Sequence, residues 1–211
     1  MNLKKKERKL TPKEQKRKER FELVCETMVA NGYSKTDLTV GVVTANVMAI
    51  LIMAPFMALG LWIFCVAVPE VWVAFAVSDV GAMLIAMIVL IVMHELIHGL
   101  TWGCFAKEHF GSIEFGVIWS MLTPYCTCSE PLKRWQYILG GLMPTLLLGS
   151  GLMAAACLLH SLFWFVLAEV MILAGGGDFL IVCKMLLHKT KGTKAYYYDH
   201  PYEGGLVVFE K

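Results

Sequence analysis

Residues 83–103 read MLIAMIVLIVMHELIHGLTWG. Eleven apolar side chains, Met83 to Met93, lead without interruption into His94-Glu95-Leu96-Ile97-His98. An apolar run of about 20 residues is what a helix needs to cross the hydrocarbon core of a bilayer. An ionised carboxylate inside such a run costs about 2.5–3.5 kcal/mol on insertion scales. Two histidines and a glutamate placed together there need a partner that offsets this cost, and a divalent cation is the simplest one.

The spacing supports the same reading. On a helix, residues four apart differ by about 40° in direction and about 6 Å in height, so the rings of His94 and His98 can reach one ion. Glu95 lies about 60° to the side of His98, able to touch a water at that ion without ligating it. H-E-x-x-H on a helix is the pattern of a zinc peptidase, with two ligands and a general base from two turns.

Working outward, the composition is 57% hydrophobic and 17% charged, against about 45–50% and 25% in soluble domains. The apolar excess is concentrated in four stretches, at about Val40–Val68, Val80–Gly103, Gln136–Leu159 and Leu162–Leu187. The expected fold class is an all-α membrane protein with about four transmembrane helices. Its expected organisation is a basic N-terminal segment (1–39), a transmembrane metallopeptidase-like domain (40–187) and a C-terminal tail (188–211). Thr11 and Pro12 mark a helix start and Gly32 a stop. The first apolar run begins too far from the basic segment for a cleavable signal peptide.

Charge sets the expected orientation. Of 19 Lys and Arg, eleven lie in residues 1–39, three (Lys107, Lys133, Arg134) between spans two and three, and five from Lys184 onward. The other two connections carry none. The positive-inside rule then places both termini in the cytosol of a multi-pass cell-membrane protein. The basic segment reads as topology and lipid-headgroup contact rather than nucleic-acid binding. Five of the seven cysteines are scattered, mostly in apolar stretches, where cysteine behaves as a small hydrophobe. No disulfide framework is expected on a reducing side.

Ile113 to Tyr125 is too short to cross as a helix and rich in strand-favouring residues. It reads as a hairpin or re-entrant segment between spans two and three, entering the cytosolic leaflet. The tail reads as a strand pair turning at Gly204-Gly205.

A catalytic zinc takes three protein ligands and leaves one position open. Asp178, after Gly175-Gly176-Gly177, is the leading third ligand. Spans two and four run in the same direction, and its depth agrees with that of His98 to within about 6 Å at 1.5 Å per residue. The glycines allow close helix approach. Glu169, His109 and Glu114 are weaker candidates, and Cys126-x-Cys128 lacks the second pair of a finger.

The HELIHG motif in a span, an apolar hairpin ending in Thr123-Pro124-Tyr125, Pro144 in the next span and Gly177-Asp178 in the last resemble the bacterial putative zincin peptidase family. That family is a relative, in motif and layout, of the site-2 protease group of intramembrane metalloproteases. The resemblance covers about residues 80–187. It implies zinc as cofactor, His94, His98 and Asp178 as metal ligands, and Glu95 as catalytic base. Gly176-Gly177-Asp178-Phe179 stands where well-studied site-2 proteases carry Asn-Pro-Asp-Gly or Leu-Asp-Gly, and there is no PDZ-like insert. The expected activity is hydrolysis of membrane-anchored protein or peptide substrates. The alternative is a non-catalytic membrane protein whose His/Glu/Asp cluster holds a structural metal or a partner. A metal transporter would need more polar residues than spans one and three offer.

Overall fold

The computed structural model describes residues 11–70, 77–118, 123–190 and 192–211. Helix α1 (Pro12–Ala30) starts where the sequence marks it. Thr11 accepts from the Glu14 N–H, while the Glu14 carboxylate returns to the Thr11 N–H at 2.8 Å, a reciprocal capping box with Pro12 at the first turn. The helix ends in a turn through Gly32 at φ +82°, a left-handed conformation that glycine adopts without steric cost.

Four helical segments are long and apolar enough to cross a membrane. These are α2 (Val42–Ala67), α3 (Val77–Gly103), a bent third segment and a broken fourth. The third consists of α4 (Arg134–Pro144), a π-helical stretch (Thr145–Gly149) and α5 (Ser150–Leu158). The fourth consists of α6 (Leu162–Ala174) and α7 (Gly176–Leu187), interrupted at Gly175. Helix α3 packs on α4 and α6, and α2 packs on α6 and α7. Their outward faces carry Val43, Ile50, Leu51, Leu84, Ile85 and Ile88, all exposed, as lipid-facing residues are. Phe64, Leu152, Ala156, Leu167 and Met171 interlock between the helices at the end remote from the histidines.

The expectation of an all-α chain is corrected: the described residues hold six strands. Strand β2 (Ile113–Ile118) pairs antiparallel with β3 (Thr123–Cys128), with Phe115 opposite Cys126, so the segment between spans two and three is a hairpin; its turn lies outside the described residues. The tail forms β5 (Ala195–Asp199) and β6 (Leu206–Glu210), turning through Gly205 at φ +123°. These join β1 (Ser34–Asp37) and β4 (Leu132–Lys133) in one antiparallel sheet of order β1-β6-β5-β4. Strands β1 and β4 are four and two residues long, too short to show alternation. Only their partners, far away in sequence, make them strands.

That sheet is covered on both faces, which is why Leu206-Val207-Val208-Phe209 is an unbroken apolar run. Leu206, Val208 and Tyr197 face the helix ends together with Trp102, Tyr137 and Met185. Val207, Phe209 and Tyr198 face α1 through Phe21. Helix α1, the tail strands and the α3–α4 connection therefore pack together at one end of the helices. Phe209 is wholly buried in the second layer. Phe209→Ala should destabilise the cap by about 3–5 kcal/mol. Amide exchange in detergent should show faster exchange in β5 and β6 than in α3; unchanged exchange in the sheet would contradict this packing.

Candidate metal centre

The two functional stripes of α3 are set by helical spacing. His94, His98 and Trp102 recur every fourth residue and face α4 and α7. Glu95, Gly99 and Gly103 recur one position later and face the hairpin. The glycines make room there: a Cβ on Gly99 would lie 2.5 Å from Phe115 Cζ of the hairpin, and one on Gly103 2.8 Å from Phe110 Cδ1 in the turn that leads into it. Glu95, half-buried on the same stripe, is approached by the backbone N–H of Cys126 from β3.

On the other stripe three ligand atoms converge. His94 Nε2 lies 3.1 Å from His98 Nε2, and Asp178 Oδ2 lies 3.3 Å from the first and 3.4 Å from the second. A tetrahedral ion with bonds of about 2.0–2.1 Å holds its ligand atoms about 3.3 Å apart. The triangle thus has the dimensions of three corners of a zinc site. Asp178 arrives because the helix breaks at Gly175 and restarts against α2, where a Cβ on Gly176 would meet the Ala49 Cβ at 2.8 Å. Both histidines are buried.

The tautomer of His98 follows from its other nitrogen. His98 Nδ1 lies 2.8 Å from the Gly140 carbonyl oxygen, which can only accept, so Nδ1 carries the proton and Nε2 a lone pair. A backbone acceptor of this kind is the usual outer support of a metal-bound histidine. Trp102 stacks on the ring with centroids 5.0 Å apart and planes 14° apart, and its indole N–H donates to the Tyr137 carbonyl. Without a cation or a proton between them, two imidazole lone pairs and a carboxylate at these separations would repel. His94 Nδ1 is buried with no hydrogen-bond partner among the described residues.

The remaining sequence candidates lie elsewhere. Among the described residues the cluster consists of His94, His98 and Asp178. Glu169 faces α2 at Gly60, where an added Cβ would run into its carboxylate. Glu114 pairs with Arg20 at 3.2 Å. His109 Nδ1 lies 3.3 Å from the Gly103 carbonyl. Cys126 and Cys128 sit in the core beneath the sheet. Burial pushes both thiols up, Cys128 to about 12, so they stay protonated at neutral pH.

Sequence reasoning missed Gly140, Trp102, Tyr137 and Asp199. Local signals were confined to Trp102, eight residues after His94 on the same stripe, and to Pro144, four residues after Gly140. Asp199, at the end of β5, accepts from the Tyr137 hydroxyl on α4 and, at 2.9 Å, from the Cys128 N–H on β3. One carboxyl of the tail thus ties the hairpin to the helix that supports His98.

The fold and cluster together define a helical, membrane-type chain with a His/His/Asp centre of metal-binding dimensions. The family described as "Putative zincin peptidase" matches residues 87–194, slightly more than half of the sequence, and the chain belongs to that family. No curated protein and no solved structure shows significant similarity to it.

Burial raises the Asp199 carboxyl from the ordinary 3.8 to about 6, although the Tyr137 and Cys128 bonds favour the charged form. A carboxyl whose folded value is raised holds its proton more tightly folded than unfolded. Its stabilising contribution is complete below about 3.9 and is lost as pH rises through about 6. Between pH 4 and 7 the native chain should lose on the order of 2 kcal/mol relative to Asp199→Asn. Unfolding midpoints in mild detergent measure this, and parallel pH profiles for the two proteins would refute it.

Proposed function

We propose that the chain is a membrane-embedded zinc metallopeptidase that hydrolyses peptide bonds of membrane-associated proteins. The observation that carries this reading is the triangle of His94 Nε2, His98 Nε2 and Asp178 Oδ2, with edges of 3.1–3.4 Å, one residue from a carboxylate that is not part of it. Family membership over residues 87–194 supports the same chemistry.

In this reading His94, His98 and Asp178 hold the metal. A zinc bound there supplies a Lewis acid and lowers the pKa of a water towards 7. Glu95 takes the water's proton as general base and later delivers it to the leaving amine. The Cys126 N–H aims the Glu95 carboxylate. Gly140 and Trp102 keep His98 in its ligating tautomer and orientation. Among the described residues β2 pairs only with β3, and an extended peptide can add to the β2 edge of the hairpin through backbone bonds alone, the Cys126 and Cys128 N–H groups on the β3 edge being engaged by Glu95 and Asp199.

The basic residues favour a cell-membrane location with both termini in the cytosol. That both ends share one sheet supports their lying on the same side. Substrates would then be membrane-anchored proteins cut near the cytosolic leaflet.

Replacing Glu95 by Gln should lower cleavage by about a hundredfold or more while the purified protein still holds one zinc. His94→Ala and Asp178→Ala should lose the zinc itself. Comparing membrane proteomes of cells carrying the native chain and the Glu95→Gln form would reveal substrates as proteins that accumulate uncut. Identical proteomes, with zinc bound in both, would replace the peptidase with a structural metal site.

A further inference from the structure

Helix α4 ends on Pro144, and the chain continues as a π-helical stretch. In an unbroken α-helix the N–H of residue 144 would donate to the carbonyl of residue 140. Proline has no N–H, and its ring crowds the carbonyl four residues back. The next candidate donor, the Thr145 N–H, turns instead to the Leu142 carbonyl. The Gly140 oxygen thus lacks its usual helical donor and accepts the His98 Nδ1–H at 2.8 Å. At Gly140 α4 also comes up against α3, since a Cβ there would run into the Trp102 indole.

We propose that Pro144 is a positioning residue: by withholding an N–H from Gly140 it reserves that carbonyl for His98 and fixes His98 as an Nε2 ligand. The inference rests on the metal reading of the same cluster. It assigns the proline a purpose other than bending the helix. The effect passes through two bonds, from the absent donor to the freed carbonyl and from the carbonyl to the ring proton. An N–H at position 144 would compete for the Gly140 oxygen, draw it back towards the α4 axis and let His98 take up its other tautomer, with the proton on the nitrogen that faces Asp178.

The test uses the full chain in detergent, with 15N-labelled histidine and with Pro144→Ala and Pro144→Val, the second close to proline in volume. In the metal-free native protein, at a pH where the ring is neutral, His98 should show its proton on Nδ1. In both variants an Nε2–H form should appear, and zinc affinity, measured by competition with a chelating dye, should fall about tenfold. A native His98 protonated on Nε2, or variants that keep the native tautomer and bind zinc within twofold of the native chain, would overturn the assignment. Should the native chain bind no zinc, the metallopeptidase reading falls, while the ring spectra of native and variant proteins still decide the role of Pro144.

Discussion

The site depends on bringing a carboxylate and two imidazole lone pairs within 3.4 Å of one another between helices of an apolar bundle. Burying charge there is costly, and the cost is recovered only when the groups share a cation or a proton. The surrounding features serve that convergence. Gly176 lets α7 come against α2, the interruption at Gly175 restarts the helix just ahead of Asp178, and Gly140 lets α4 come against Trp102. The small residues stand where backbones must approach, and the large apolar ones stand where lipid or the interlocked core needs bulk.

A second constraint follows from α3 having two neighbouring stripes. Its ligand stripe is fixed by α4 and α7, whereas its Glu95 stripe is fixed by the hairpin. Glu95 and the two histidines therefore lie on one helix but are held by different elements. Asp199 joins the two supports, because it bonds Tyr137 on α4 and Cys128 on β3. The cysteine pair, which in sequence has a metal-like spacing, contributes core packing and a backbone donor.

The four crossings are legible in the sequence because a bilayer demands long apolar runs, and the ligand spacing is legible because α-helical geometry is invariant. Asp178 can be paired with His98 because helices convert residue counts into depth. The hairpin shows in its β-branched and aromatic content, and the tail strands show in theirs and in Gly204-Gly205. Strand β1, Ser34–Asp37, is not legible: its four residues are polar and become a strand only through pairing with β6, more than 170 positions away. The acceptor of His98 is hidden for a related reason. A carbonyl at a glycine carries no side-chain signal, and only the proline four residues later hints that this oxygen is free.

The strand order β1-β6-β5-β4 has a consequence for how the protein is made. Strand β6, Leu206–Glu210, sits between β1 and β5, so β1 waits until a segment about 170 residues further on has been synthesised before it has a neighbour. During translation the helices can enter the bilayer one after another while the sheet above them is still missing its middle. The cap therefore closes only once β6 has been made. A copy that stops short of β5 and β6 lacks the clasp between the hairpin and the helix that supports His98.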